Sequence, residues 1–295
     1  MPITLGSDTN GSIRVPASFN GVFGLKPTYG RLTRAGSFPF VSSLDHLGPL
    51  CRSVSDLAVT YDAMQGADPN DPVCTGQIDP IMPLLDNGIA GLRVAKAGGF
   101  FRAGAAAEAL IALDSIAAAL GAEAEVEIPD TTIARSAAYI ITATEGAALH
   151  LPRLRSCPDD FDPDVRDRLL AGALIPAAAV TQAQKFRRLY RQRVLALFDS
   201  VDAILAPATP CVAPKIGQRT FVLDGTEMPV RPNIGLYTQP ISFIGLPVIA
   251  VPVPTAIGMP IGVQIIAPPW REDIAFRIAR ALEVSGAVRT LTPKL

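Results

Sequence analysis

The residues best suited to chemistry lie in Gly6-Ser7-Asp8-Thr9-Asn10-Gly11-Ser12-Ile13-Arg14-Val15-Pro16-Ala17. Small side chains there let successive backbone N–H groups converge on one point, as in sites that hold an oxyanion or a phosphate. Gly6 and Gly11 have the spacing of a phosphate-binding loop, but Ser12 and Ile13 stand where Lys and Ser/Thr belong, which argues against that reading. In an acyl-transfer reading Ser12 is the nucleophile, with the N–H groups of Thr9, Asn10 and Gly11 around it. The competing reading makes Ser12 a cap for the helix or turn that follows. Asp8 and Arg14 are spaced to form an ion pair that supports the loop; the plainer alternative is two surface charges.

A serine nucleophile needs a base. The only histidines are His46 and His150, and there is no G-x-S-x-G elbow. Asp45 and His46 are adjacent, which makes it awkward for one to orient the other as in a Ser-His-Asp triad. His150, between Leu149 and Leu151, reads as a packed or surface residue. Two histidines without a carboxylate motif argue against a metal site. Four scattered cysteines without a C-x-x-C pair argue against a disulfide framework or a zinc knuckle. No cofactor is expected. Lys26 is the alternative base by residue type, but in Gly24-Leu25-Lys26-Pro27-Thr28 it reads as a turn residue. Residue types and spacing thus supply a nucleophile without its base.

The scaffold has 295 residues, 49% hydrophobic and 18% charged, with a net charge of -1. That is ample for a core and offers no basic surface for nucleic acid. The N-terminus lacks a basic n-region and an apolar h-region, so no signal peptide is read and a soluble, cytoplasmic protein is expected. Pro232 to Trp270 carries no Asp, Glu, Lys or Arg and is long enough to span a bilayer. Seven interior prolines interrupt it, each costing a helix roughly 3 kcal/mol. Short strands buried on both faces are the better reading.

Ser53-Val54-Ser55-Asp56 is similar to a capping box and opens a helix that Gly66 stops. A strand over Leu92 to Ala95, an Ala-rich helix over Ala105–Leu120 and a strand over Ala124 to Ile128 make a β-α-β unit, predicting an α/β sheet. Helices follow near Asp164–Leu174 and Val180–Phe198. The basic face of the second, Lys185, Arg187, Arg188, Arg191 and Arg193, reads as solvated. Ala203 to Leu205 is a buried strand, and Asp224-Gly225 marks a hairpin within Phe221–Met228. Pro247–Val253 and Pro260–Ile266 are strands, and a last helix runs from Arg271 to before Gly286. Without repeat or linker, 1–295 reads as a single domain.

The Gly6–Ala17 block, Gly21-Val22-Phe23-Gly24-Leu25-Lys26-Pro27-Thr28-Tyr29-Gly30-Arg31 and Ser43-Leu44-Asp45-His46-Leu47-Gly48-Pro49 together resemble the second half of the amidase signature. Gln239–Val248 and Gly258–Gln264 resemble the C-terminal strands of that family. The resemblance implies an amidase-signature fold, a mixed sheet flanked by helices, here N-terminally truncated. It implies Ser12 as the acylated nucleophile, and Thr9, Asn10, Gly11 and Ser12 as backbone donors of the oxyanion hole. Most members have Gly where Asn10 stands. Asn10, Tyr61–Gly66 and Ile141–Gly146 are similar to the 1-carboxybiuret hydrolase subgroup, which acts on small urea-like amides and works with a small accessory subunit. The family mechanism uses a Ser–cis-Ser–Lys triad whose lysine and bridging serine lie upstream of the block matched here. The partners this implies are a small amide substrate, further copies of the chain and an accessory subunit, with no nucleic acid and no membrane. The rival readings are a fragment of the A subunit of a tRNA-dependent amidotransferase and a non-catalytic truncated product.

Overall fold

In the computed structural model, which describes residues 2–290, the chain enters through an edge strand. Strand β1 (Ile3–Asp8) turns through Thr9–Ile13 into the short helix α1 (Arg14–Asn20), which leads to β2 (Phe23–Lys26) and, after a long loop, to β3 (His46–Cys51). β1 pairs antiparallel with β3, Asp8 opposite His46. The Ser53 hydroxyl accepts from the Asp56 N–H and caps α2 (Val54–Met64). That is the expected role of a serine ahead of the first helical turn.

The β-α-β unit follows as β4 (Val94–Ala97), α3 (Ala107–Ala119) and β5 (Glu125–Val126), with β4 and β5 parallel. Next comes α4 (Thr131–Ser156), a 26-residue helix for which the sequence gives little local signal. Helices α5 (Pro163–Ala173) and α6 (Ala177–Leu197) pack against it. After β6 (Ala203–Pro207), the hairpin β7 (Thr220–Leu223) and β8 (Thr226–Pro229) turns through Asp224 and Gly225, both at positive φ. Such a pair suits a two-residue hairpin turn.

Residues 230–242 correct the expectation of strands throughout Pro232–Trp270. They form two single-turn helices, α7 (Val230–Asn233) and α8 (Gln239–Ser242). Each of these turns has a proline within it or at its start, where a missing N–H costs little. The expectation holds for β9 (Val248–Val253) and β10 (Ile261–Ile266), every residue of which is buried. Helix α9 (Glu272–Val284) closes the described chain, lying on β9 and β10 beside α2.

Eight strands make one mixed sheet in the order β1-β3-β2-β9-β10-β6-β4-β5. Valine and isoleucine predominate in β9 and β10, and both faces are buried, as in strands covered on both sides. The core runs continuously from Phe23 to Val288 across this sheet, with a small separate cluster of Phe221, Leu223 and Val230 under the hairpin. No helix among the described residues is long and apolar enough to cross a membrane.

Candidate active site

The turn after β1 is built around Asp8, which is completely buried. One carboxylate oxygen accepts from the Gly11 N–H at 2.7 Å, the other from the Ile13 N–H at 3.3 Å. Arg14, also completely buried, grips both oxygens through Nε at 3.0 Å and Nη2 at 3.1 Å. Its remaining donors reach Gln264 Oε1 at 2.6 Å, the Thr238 carbonyl at 3.1 Å and the Ser242 hydroxyl. The Ser242 hydroxyl in turn donates to Asp8 at 3.0 Å. The loop is therefore tied to β10 and α8 as well as to its own helix. Burial alone would raise the Asp8 pKa, but the charge and hydrogen bonds of Arg14, with Lys26 and His46 nearby, hold it well below the usual carboxylate range.

Gly11 is required on steric grounds. Its φ is +137°, and a Cβ there would sit 2.2 Å from Thr238 Oγ1. Thr238 Oγ1 approaches so closely because it donates to the Asn10 carbonyl at 2.7 Å. The Gly11 N–H differs from its expected role: it is committed to Asp8 and is not free for an oxyanion. The amides of Thr9, Asn10 and Ser12 have no acceptor among the described residues.

Ser12 does not cap α1. The helix starts after Ile13 with no side-chain cap, and the Ser12 hydroxyl has no hydrogen-bond partner among the described residues. It lies exposed on the wall of a cavity of about 840 Å³, within the usual range for a small-molecule site. Thr9, Asn10 and Gly11 share that wall. The rest of the lining comes from α4 and α5, through Arg135, Ser136, Tyr139 and Arg168, with Pro232, Ile234 and Gly235 alongside. Asn10 is anchored by its Nδ2 donating to Thr142 Oγ1 of α4 at 3.1 Å, while its Oδ1 is buried without a partner.

No Lys, His, Asp or Glu among the described residues lines this cavity. Lys26 corrects its reading as a turn residue: it ends β2, is completely buried, and donates to the Pro27 carbonyl at 3.1 Å and to the Leu246 carbonyl. Burial and then Arg14 lower its pKa well below the usual value, against the opposing pull of Asp8 and Glu272. His46 is buried, and burial followed by Lys26 lowers its pKa too. As a neutral ring, with the proton on Nδ1, it donates to the Leu44 carbonyl at 2.6 Å and the Asp8 carbonyl at 3.1 Å. His150 stacks on Phe38 in a separate depression. Sequence reasoning missed Arg135, Tyr139 and Arg168 together with their helices' approach to Ser12.

A family model described as Amidase matches residues 1–275. The chain belongs to the amidase family. Among its relatives, AtzE of Pseudomonas sp. (strain ADP), a 1-carboxybiuret hydrolase subunit, is 53% identical across 98% of this chain and 64% of its own length. A glutamyl-tRNA(Gln) amidotransferase subunit from Roseiflexus castenholzii is 36% identical across 96% of this chain and 62% of its own. One solved structure, described as an unexpected vestigial protein complex that reveals the evolutionary origins of an s-triazine catabolic enzyme, superposes with a TM-score of 0.97 at 52% identity. It covers 99% of this chain and 65% of that one. A glutamyl-tRNA(Gln) amidotransferase subunit from Thermotoga maritima superposes at 0.81 with 30% identity, over 96% of this chain and 62% of its own. The chain thus spans just under two-thirds of the length of the relatives it matches, and it shares the mixed sheet and flanking helices of the amidase fold.

Proposed function

We propose that this amidase-family chain carries the nucleophile of an amide hydrolase acting on a small urea-like amide similar to 1-carboxybiuret. The observation that carries the proposal is the Ser12 hydroxyl on a cavity wall, beside three backbone amides, all without a partner among the described residues, on a loop tied down by Asp8 and Arg14. Ser12 Oγ attacks the carbonyl carbon, and the developing oxyanion is held by the N–H groups of Thr9, Asn10 and Ser12. The C–N bond then breaks, ammonia leaves with a proton, and an acyl ester remains on Ser12. Water attacks that ester, releasing the acid and restoring the hydroxyl. Asp8 and Arg14 support the loop and exchange no proton with substrate.

A base must take the Ser12 proton, and the described residues offer none in the cavity. General-base assistance is worth about 10²–10⁴-fold, so residues 1–295 alone are expected to release no ammonia above background. In the working enzyme the base comes from outside the described residues. The greater likeness to the carboxybiuret hydrolase subunit than to the amidotransferase subunits favours a small amide over a tRNA-dependent reaction. The first of these relatives is itself a subunit, while the vestigial complex is an assembly, which supports an accessory partner here. In a form of the enzyme that supplies the base, Ser12→Ala should abolish covalent labelling by a fluorophosphonate. Undiminished labelling would place the nucleophile elsewhere.

A further inference from the structure

Three amides of the Ser12 loop, those of Thr9, Asn10 and Ser12, make no hydrogen bond to any described residue. Their direction is therefore set by whatever grips the atoms around them. Ser12 lies between Gly11 and Ile13, whose N–H groups both bond to Asp8. Asn10 is held twice, its side chain by Thr142 at 3.1 Å and its carbonyl by Thr238 at 2.7 Å. Thr9 has a single side-chain anchor among the described residues: its hydroxyl donates to Asp45 Oδ1 at 2.6 Å.

Sheet register brings that pair together. β1 and β3 pair Asp8 with His46, so one step further along the two strands Thr9 comes opposite Asp45, close enough for the side chains to meet. Asp45 is itself held, because its Oδ2 accepts the N–H groups of Phe40 and Val41, each at 2.8 Å. A carboxylate gripped by two backbone donors is a firm anchor, since turning it would leave both donors unpaired. Asp45 does not line the Ser12 cavity; it belongs to a separate depression of about 550 Å³, with Arg34 and Glu145. Phe40, by contrast, does line the Ser12 cavity.

We propose that Asp45 is a positioning residue of the oxyanion hole. Through the Thr9 hydroxyl it aims the Thr9 N–H at the oxygen that gains charge when Ser12 attacks. It touches no substrate and moves no proton. Holding Oγ1 restrains the Thr9 side-chain torsion and the backbone that carries it, so the amide is aimed before substrate arrives. A donor preorganised in this way costs no reorganisation as the charge develops. The same carboxylate fixes the backbone of Phe40, so a wall residue of the cavity and a donor of the hole share one anchor. This rests on the proposed hydrolase reading and adds the group that aims one of its donors.

The test uses the enzyme in a form that supplies the base, with biuret and malonamide as small amides and a fluorophosphonate as label. Thr9→Val removes the hydroxyl at nearly constant shape. It should lower kcat by about 10- to 100-fold, less than outright loss of a donor. KM should stay within about twofold, because the hole favours the transition state over the bound amide. Thr9→Ser keeps the hydroxyl and should recover most of kcat. Asp45→Ala should lower kcat at least as far, and adding Thr9→Val to it should cost nothing more, as for two ends of one contact. Asp45→Ala also releases the Phe40 and Val41 N–H groups, so if it fails to fold, Thr9→Val against Thr9→Ser carries the test. Wild-type kcat in Thr9→Val, an equal loss in Thr9→Ser, a loss confined to KM, or additive losses in the double variant overturns the assignment. Wild type that is labelled at Ser12 but releases no ammonia from either amide defeats the hydrolase reading. Labelling slowed by Thr9→Val and not by Thr9→Ser then leaves the role of Asp45 standing, and equal labelling of all three removes it as well. Wild type that neither labels nor releases ammonia removes both.

Discussion

Arg14, beneath the nucleophile loop, engages Asp8, Gln264, Thr238 and Ser242, whereas Arg168, across the cavity, engages no described hydrogen-bond acceptor. Both are removed from water to a large degree, yet one is saturated by protein and the other is not. The saturated arginine is part of the scaffold: it fixes where the Ser12 loop sits. The unsaturated one rests on the Tyr139 ring and makes no hydrogen bond to any described residue, so it contributes little to holding the chain together. The presence or absence of hydrogen-bond partners thus separates an arginine built into the scaffold from one that the described residues leave uncommitted.

Breaking the saturated side should have the largest effect. Asp8→Asn leaves Arg14 as a buried charge without its counter-ion, and should cost about 3–5 kcal/mol in urea denaturation. The same pair sets the acid limb of stability. The folded-state carboxyl of Asp8 lies below its unfolded value of about 3.9. Its stabilisation is therefore fully present above that pH and is lost as pH falls through the folded pKa. Wild type should lose stability more steeply below about pH 4 than Asp8→Asn does; parallel acid limbs would show that the pair contributes nothing there.

Arg14→Lys is intermediate. It keeps the charge but loses the planar fork that reaches four partners, so a cost of about 1–3 kcal/mol and slower fluorophosphonate labelling of Ser12 are expected. Labelling at the wild-type rate would refute the supporting role. Arg168→Gln should have the smallest effect on stability, within about 0.5 kcal/mol. A loss as large as that of Arg14→Lys would mean that Arg168, too, belongs to the scaffold.

Much of the fold is legible where local chemistry decides structure. Ser53 and Asp56 mark a helix start, Asp224-Gly225 marks a hairpin, and the valine–isoleucine runs of β9 and β10 mark buried strands. Lys26 reads as a turn residue because Pro27 follows it, although a residue before proline favours extended backbone and suits the end of a strand. Helix α4 is hard to see because Gly146, Pro152 and several β-branched residues weaken its local propensity. Its spacing of Ala134, Ala138, Ile141 and Ala147, all buried, is the available signal. The Gly11 N–H, open by position, is taken by a neighbouring carboxylate that only the folded turn brings to it. Arg135 and Arg168 carry no local motif. They meet Ser12 through tertiary packing of segments far apart in sequence, and a missing partner leaves no trace in a string of residues.

Helix α4 also has a mechanical consequence. Its 26 residues span about 39 Å, and along that rod are Arg135 and Tyr139 on the cavity wall, Thr142 holding Asn10, and Glu145 holding both the N–H and the hydroxyl of Ser43 at 3.1 and 2.6 Å. A helix is stiff along its axis, so these grips travel together. Sliding the rod by one ångström to admit a longer molecule would drag Asn10 and the Ser43 loop by the same amount. The width of the cavity and the aim of the nucleophile loop are thereby geared to each other, and neither can be adjusted without moving the other.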